Sequence, residues 1–170
     1  MFLDRDGVIN AAVVRDGKPY PPATLDAFEF LPGAVNAAVA LREAGFVVVV
    51  VTNQPDVATG VQQIDVVEAM HGKLKAAGVC DAIKVCYHTD ADNCDCRKPK
   101  PGMLVEAARE WQIDLTRSFM VGDRWRDVAA GKAAGCHTFF IDYKYRERTA
   151  DKPDTLVASL EEASMLILQK

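Results

Sequence analysis

Four side chains that commonly bind zinc lie close together in the sequence, at Cys86, His88, Cys94 and Cys96. Three thiolates and one imidazole make a complete tetrahedral ligand set for Zn²⁺, and four protein ligands are typical of a structural zinc site. The C-x-H and C-x-C spacings favour a metal site over an incidental cluster of thiols in a loop. The sequence therefore predicts a zinc-bound loop at about residues 86–96, directly followed by the cations Arg97 and Lys98.

Two acidic residues near the start of the chain could bind a metal ion or act on a substrate. Asp4 and Asp6 follow the apolar residues Phe2 and Leu3, and Gly7 comes next. In an extended chain the side chains of residues i and i+2 point to the same side, and open α/β sheets bind ligands at the carboxyl ends of their strands. Glycine permits a sharp backbone turn at such a place. On its own, this motif is equally compatible with a polar turn after an edge strand.

Further polar residues follow other predicted strands. Thr52, Asn53 and Gln54 come after an apolar run, where a hydroxyl, an amide and backbone N–H groups could hold a phosphate. Asp123, within Val-Gly-Asp-Arg, could complete an oxygen-ligand set for Mg²⁺ with Asp4 and Asp6.

Each of these residues also has an ordinary structural interpretation. Thr-Asn after a strand is common as a helix cap or turn, Lys98 could be a solvated loop lysine, and Asp127 could be a cap or a helix-surface charge. None of these motifs indicates a function by itself. The specific signal is their order along the chain, which is Asp-x-Asp-Gly, Thr-Asn, Lys and Gly-Asp-x-x-x-Asp.

Alternating apolar runs and helical stretches predict the elements that would position these residues. Residues 46–51 read FVVVVV, a β-branched run suited to a strand buried on both faces. Further strands are expected at residues 82–86, 118–121 and 138–141, helices at 32–44, 64–77, 102–111, 125–134 and 160–168, and a charged, mobile loop at 143–153. Only three residues precede Asp4, so the first strand is expected to be short or to begin upstream. The alternation is typical of a parallel sheet covered by helices.

Composition limits the class of function. The 170 residues carry a formal net charge of −4 with a pI near 5.4, which argues against nucleic acid as the main partner. No apolar run approaches membrane-spanning length, and no signal-peptide pattern opens the chain. Of five cysteines, Cys80 and Cys136 lie outside the predicted zinc set, and this fits a reducing cytoplasm better than a disulfide framework. We therefore expect one cytoplasmic domain spanning residues 1–170.

The segments FLDRDGVIN, VVTNQ, CDCRKPKPGM and MVGDR resemble the four signature motifs of the haloacid dehalogenase superfamily, over essentially the whole chain. Within it they are similar to the group of heptose bisphosphate and histidinol-phosphate phosphatases. The resemblance implies a capless, Rossmann-like α/β three-layer sandwich with a mainly parallel sheet, a catalytic Mg²⁺, and a structural Zn²⁺ loop in place of a large cap domain. It also implies a cytoplasmic phosphomonoester hydrolase that works through an aspartyl-phosphate intermediate.

The same resemblance implies roles for individual residues. Asp4 would be the nucleophile and Asp6 the general acid and base. Mg²⁺ would be held by the Asp4 carboxylate, the Asp6 backbone carbonyl and Asp123. Thr52 and Lys98 would hold the transferring phosphoryl group. The expected substrate contacts are Asn53, Gln54, Arg97 and Arg124.

The expected substrate is a small phosphorylated metabolite. Pro-Gly-Met after Arg-Lys-Pro-Lys, together with Arg97, Lys98 and Arg124, favours removal of the 7-phosphate of a heptose 1,7-bisphosphate. The short gap between His88 and Cys94, with the Gly-Asp-Arg of the last motif, favours histidinol phosphate instead. A catalytically inactive, zinc-stabilised binding protein is the alternative from a different class.

Two segments depart from the heptose pattern. Pro55-Asp56 stands in place of a pair of small residues, and Thr59 stands where an arginine is usual. Residues 11–28 do not match the family's substrate loop, so we assign no site residue there.

Overall fold

Strands and helices alternate along the computed structural model, which describes residues 1–169. In chain order the strands are β1 (Phe2–Leu3), β2 (Val13–Arg15), β3 (Lys18–Tyr20), β4 (Val49–Asn53), β5 (Ala82–Cys86), β6 (Phe119–Gly122), β7 (His137–Ile141) and β8 (Thr155–Val157). The helices are α1 (Ala34–Glu43), α2 (Ile64–Ala76), α3 (Gly102–Trp111), α4 (Trp125–Ala134) and α5 (Leu160–Leu168). Two short 3₁₀ helices span Asp90–Asp92 and Leu115–Arg117.

Six strands form one parallel sheet in the order β5-β4-β1-β6-β7-β8. The short strand β1 lies near its centre, where Leu3 pairs with Val50 of β4 and Val121 of β6. Strands β2 and β3 form a separate antiparallel hairpin. Because all six strands run the same way, the residues that follow β1 and β6 and those that end β4 meet at one edge of the sheet.

Side chains that alternate along the strands produce one hydrophobic cluster on each face of the sheet. Leu3 and Val50 belong to the cluster that includes buried residues of α1, α2 and α5. Phe2 and Val49 belong to the other, with residues of α3 and α4. Helices therefore cover both faces, and the predicted three-layer α/β sandwich is confirmed.

Several element bounds differ from the prediction. The strand predicted at residues 46–51 begins at Val49, because the backbone N–H of Phe46 donates to the carbonyl of Leu41 at the end of α1. It also continues further, since Thr52 and Asn53 pair with β5. The β2–β3 hairpin and β8 were not predicted; each of these strands has only three residues, too few to show a period.

Within residues 1–169, every helix is too short or too polar to cross a membrane. The predicted domain of residues 1–170 also includes Lys170, which lies outside the described residues.

Candidate active site

Three buried carboxylates meet at the edge of the sheet where β1 and β6 end. Asp4 follows β1, Asp123 follows β6, and Asp127 lies in the first turn of α4. Their side-chain oxygens lie within 4.8 Å of one another, a separation that one metal ion can bridge. Asp127 was not predicted as a member of this set. It is a helix cap, as one interpretation allowed, because its Oδ2 accepts a hydrogen bond from the backbone N–H of Arg124 at 2.9 Å.

A single lysine lies against this cluster. The Nζ atom of Lys98 is 2.9 Å from Asp4 Oδ1 and 2.6 Å from Asp127 Oδ1, and it donates to the carbonyl of Val51 at 2.8 Å. The side-chain amide of Asn53 fixes the backbone of Lys98 through two hydrogen bonds, of 3.0 and 3.1 Å. Lys98 is therefore a buried, fully paired lysine rather than a solvated one.

Burial and mutual repulsion dominate the electrostatics of these groups. Burial, followed by the charge of Asp127, raises the pKa of Asp4 to about 7, although Lys98 opposes the shift. Burial and the charge of Asp4 raise the pKa of Asp123 as well. Burial alone would lower the pKa of Lys98, but Asp127 and Asp4 raise it, so the ammonium group stays charged. Three carboxylates against one ammonium leave an excess of negative charge that a cation would neutralise.

The position of Asp123 depends on a glycine across the turn. Gly7 has φ +85°, and a Cβ at this position would overlap Asp123 Oδ2. The same oxygen accepts a hydrogen bond from the hydroxyl of Tyr145 at 2.9 Å. The other oxygen, Oδ1, is buried and has no hydrogen-bond partner among residues 1–169. An unpartnered buried carboxylate oxygen costs free energy unless a ligand binds it, which suits a metal site.

The carboxylate of Asp6 lies apart from this cluster. It accepts from Arg5 Nε and Nη2, from Asn10 Nδ2 at 2.9 Å and from Gln54 Nε2 at 2.8 Å. Gln54 is buried, and its Nε2 also donates to Thr52 Oγ1 at 2.8 Å. Gln54 thus connects the two predicted catalytic residues Asp6 and Thr52, and its predicted contact with substrate stays a prediction.

A cleft opens above these groups. Among the predicted residues it is lined by Asp4, Asp6, Thr52, Asn53, Lys98 and Arg124. Arg126 and the hairpin residues Pro19, Tyr20 and Pro21 line it as well and were not predicted. The hairpin could have been recognised, because Asp16-Gly17 between two short apolar-containing runs is a strong turn signal.

The arginines near the cleft have acidic partners. Arg124 forms an ion pair with Glu147, and this pairing raises the pKa of Arg124 against the opposing effect of burial. Arg126 pairs with Asp90 at 3.0 Å and contacts the carbonyl of Lys98 at 3.3 Å. Arg97 pairs with the same Asp90 at 2.9 Å and with the carbonyl of His88 within the loop. The structure thus places Arg126 at the cleft, whereas the predicted substrate contact of Arg97 stays a prediction.

The four predicted zinc ligands come together at the end of β5. The Sγ atoms of Cys86, Cys94 and Cys96 are 3.1 to 3.7 Å apart, and His88 Nδ1 is 3.3 Å from Cys96 Sγ. A tetrahedral site with Zn–S bonds of about 2.3 Å places its sulfurs about 3.8 Å apart, close to this spacing. The cluster fits a four-ligand metal site, with Asp90 in the 3₁₀ helix between its two halves.

Comparison with known proteins identifies the family. Residues 95–163 match the family described as HAD-hydrolase-like. The chain is 38% identical over 158 residues to the D-glycero-beta-D-manno-heptose-1,7-bisphosphate 7-phosphatase of Pseudomonas aeruginosa, covering 90% of this chain and 86% of that protein. It is 40% identical over 162 residues to the enzyme of the same name from Pseudomonas putida, with 91% and 90% covered.

A solved structure shows the same fold. The D,D-heptose 1,7-bisphosphate phosphatase of B. bronchiseptica, complexed with magnesium and phosphate, superposes with a TM-score of 0.87 at 32% identity, covering 99% of this chain and 97% of that one. The predicted superfamily is therefore confirmed, and so is the prediction of a phosphatase. The chain belongs to the heptose bisphosphate phosphatase family of HAD-like hydrolases.

Proposed function

We propose that this protein removes the 7-phosphate of a heptose 1,7-bisphosphate, with Asp4 as the nucleophile and Mg²⁺ as the cofactor. The buried cluster of Asp4, Asp123 and Asp127 against Lys98 is the observation that carries this proposal. It supplies a carboxylate to attack phosphorus and an acidic set to bind a dication, in a chain related over about 90% of its length to enzymes named for this reaction.

Asp4, Asp123 and Asp127 would hold the magnesium ion, together with the backbone carbonyl of Asp6. Carboxylate and carbonyl oxygens are the ligands that Mg²⁺ prefers, and the buried, unpartnered Oδ1 of Asp123 provides one of them. When bound, Mg²⁺ neutralises charge, so that the anionic carboxylate and the anionic phosphate can approach each other.

The reaction then follows from the positions of the side chains. Asp4 Oδ1 accepts from Lys98 and from the backbone N–H of Arg5 at 2.7 Å, and these contacts hold the carboxylate of Asp4 in place for attack. A bond forms between one carboxylate oxygen of Asp4 and phosphorus while the bond from phosphorus to the substrate oxygen breaks. Asp6 gives a proton to the departing alkoxide and later takes one from the water that hydrolyses the aspartyl-phosphate. The hydroxyl of Thr52 would donate to the phosphoryl group, and the charge of Lys98 would stabilise it from nearby, since the three N–H donors of Lys98 already have partners.

We also propose that Cys86, His88, Cys94 and Cys96 hold a structural Zn²⁺. All four positions of a tetrahedral site are filled by protein, which leaves none for an activated water. The loop carries Asp90, whose carboxylate accepts from both Arg97 and Arg126. The zinc would therefore help to position Arg126 at the cleft. Five cysteines outside disulfides are typical of a reducing compartment, so we place the protein in the cytoplasm.

The charge of the cleft supports a bisphosphate as the substrate. Arg124 and Arg126 both line it, and guanidinium groups bind a second phosphate well. Histidinol phosphate carries a cationic amine in place of a second phosphate, so it offers these guanidinium groups no second anion to bind. The choice between these substrates therefore depends on charge at the part of the substrate that does not react.

Parallel turnover measurements test this proposal. We expect kcat/KM for D-glycero-D-manno-heptose 1,7-bisphosphate to exceed that for histidinol phosphate by about 100-fold, a difference of about 2.7 kcal/mol. Both anomers of the sugar should be tested, with Mg²⁺ present and with Asp4→Asn as the inactive control. A preference for histidinol phosphate would contradict the substrate, and activity in Asp4→Asn would contradict the mechanism. No Mg²⁺-dependent phosphate release from any ester would favour the inactive binding protein.

A further inference from the structure

Arg5 is a buried cation that the reaction described above does not use. Its side chain has 0% exposure, although it lies between the two catalytic aspartates in sequence. The guanidinium group meets both carboxylate oxygens of Asp6, with Nη2 at 3.0 and 2.9 Å and Nε at 3.2 Å from each. Paired N–H donors of this kind fix the plane of a carboxylate as well as its position. The orientation of Asp6 therefore depends on where Arg5 is held.

A histidine from the middle of α2 holds Arg5 in turn. Nη1 of Arg5 lies 3.3 Å from His71 Nε2, although the two residues are 66 positions apart. A guanidinium group can only donate, so Nε2 must accept, and the imidazole is neutral with its proton on Nδ1. Burial, and then the charge of Arg5, lower the pKa of His71, which favours this neutral form.

The other side of the imidazole reaches the protein surface. His71 Nδ1 lies 3.4 Å from Glu68 Oε1, one turn earlier on α2. The same oxygen accepts a hydrogen bond from the hydroxyl of Tyr87 at 2.6 Å. Glu68 is half exposed and His71 is buried, so a continuous chain of polar contacts runs from the surface of α2 to Asp6. A carboxylate at this position favours a proton on Nδ1, the tautomer of His71 that Arg5 requires.

We propose that Arg5 and His71 are positioning residues that orient Asp6 for proton transfer to the leaving oxygen. This inference rests on the proposed function, since it takes Asp6 as the general acid and base. A general acid must reach the reacting oxygen at hydrogen-bond distance, and small errors in orientation are costly in rate. The competing interpretation is that Arg5 merely neutralises the charge of Asp6.

The two interpretations predict different effects of the leaving group on kcat/KM. The value of kcat/KM reports the steps up to the transfer of the phosphoryl group to Asp4. An alkyl phosphate needs a proton on its departing oxygen in that step, whereas p-nitrophenolate departs without one. A misplaced Asp6 should therefore lower kcat/KM for the alkyl ester and spare p-nitrophenyl phosphate. A purely structural defect should lower both equally.

The first test compares Arg5→Met with the wild type on both esters, using heptose 1,7-bisphosphate as the alkyl substrate. We expect a loss of about 100-fold in kcat/KM on the alkyl ester and less than about 3-fold on p-nitrophenyl phosphate. Asp6→Asn should show the same pattern, and the double variant Asp6→Asn with Arg5→Met should be no slower than Asp6→Asn alone. Such non-additivity is expected if Arg5 acts through Asp6.

His71 provides a second test in case Arg5→Met does not fold. His71→Leu should lose about 10-fold on the alkyl ester only. His71→Gln should stay near the wild type, because its amide oxygen can accept from Arg5 while its amide nitrogen faces Glu68. Met70→Leu, at the preceding buried position of α2, is the matched control for packing and should change neither ester.

The possible results separate this inference from the proposed function. Equal losses on both esters in the Arg5 and His71 variants, or further loss in the double variant, would overturn the positioning role. If the wild type prefers another alkyl phosphate, only the proposed substrate is wrong, and the comparison is made with that ester. A wild type that hydrolyses no phosphate ester would overturn both.

Discussion

Asp123 owes its place in the carboxylate cluster to the absence of a side chain at residue 7. A Cβ on Gly7 would overlap Asp123 Oδ2, so Gly7→Ala must push this carboxylate aside. We expect Gly7→Ala to raise the Mg²⁺ concentration needed for half-maximal activity by at least about 10-fold, equivalent to about 1.4 kcal/mol. Activity measured as a function of Mg²⁺ concentration checks this.

Gly45→Ala is the matched control for Gly7→Ala. Gly45 has a similar φ of +91°, but a Cβ there would have nothing within 4 Å. The control carries the same backbone strain and should bind Mg²⁺ normally. An equal loss of Mg²⁺ affinity in both variants would show that strain, and not the displacement of Asp123, is responsible.

His71 should make the stability of the protein depend on pH. Well above its ordinary pKa of 6.5, His71 binds no proton in either the folded or the unfolded state, so it does not lower the free energy of unfolding. As pH falls below that value, the unfolded state takes up a proton that the folded state binds less readily, so the free energy of unfolding decreases. Arg5 opposes protonation, whereas Glu68 and Asp6 favour it without reversing the shift.

Urea unfolding of the wild type and His71→Gln between pH 7.5 and pH 5 checks this prediction. We expect the wild type to lose more stability than His71→Gln over that range. Other groups cancel in the comparison, including Asp4, whose raised pKa gives the opposite slope. Parallel curves for the two proteins would show that the pKa of His71 is not lowered in the folded state.

At the scale of elements, the zinc loop should affect the binding of substrate more than the chemical step. Its residue Asp90 holds Arg126 at the cleft, whereas Lys98 is held by Asn53 and by buried carboxylates. We expect Cys94→Ser to lose zinc and to raise KM about 10-fold, with a smaller change in kcat. Metal analysis of the purified protein and steady-state kinetics check both expectations.

Cys80→Ser is the control for the zinc prediction. Cys80 is buried and lies outside the four proposed zinc ligands, so its replacement should leave the zinc content and KM unchanged. Full activity in a zinc-free Cys94→Ser protein would contradict the role of the loop.

The elements predicted most accurately from the sequence are the helices, in which the hydrophobic pattern repeats over many residues. Helices α2 to α5 lie within about one residue of their predicted bounds, because their buried residues recur at helical spacing. Strand β5 also has its predicted bounds. Strand β4 lies further along the chain than predicted. Its pairing with the neighbouring strands β1 and β5, and not its run of apolar residues, decides where it begins. The β2–β3 hairpin brings Tyr20 to the cleft, and its turn is held by a contact that is distant in sequence, from the backbone N–H of Arg146 to the carbonyl of Gly17.

For the whole molecule, the motifs indicated which residues could do chemistry, but folding decides which of them meet. Asp4, Lys98 and Asp123 were predicted together, and the structure places them in one cluster. No pattern in the sequence indicated that His71 lies behind Arg5, since that contact depends on how α2 packs against the sheet. Residues that carry a motif are visible in the sequence, whereas residues that support them depend on the fold.

Mg²⁺ should stabilise the folded chain as a whole. The carboxylates of Asp4, Asp123 and Asp127 are buried close together only in the folded state, so the ion binds that state and opposes unfolding. At a concentration about 100 times the dissociation constant, we expect a gain of about 2.7 kcal/mol, or roughly 5–10 °C in Tm for a chain of this length. Thermal unfolding with and without millimolar Mg²⁺ measures the gain.

Two variants show whether this stabilisation comes from the proposed site. Asp4→Asn removes one of three mutually repelling carboxylates, so its Tm without metal should rise while the gain from Mg²⁺ becomes smaller. Asp26→Asn removes an exposed acid and should keep the full gain. If Asp4→Asn responded to Mg²⁺ as strongly as Asp26→Asn, the ion would be acting elsewhere on the protein. A gain that depends on Asp4 would connect the metal, the buried charge and the nucleophile in one site.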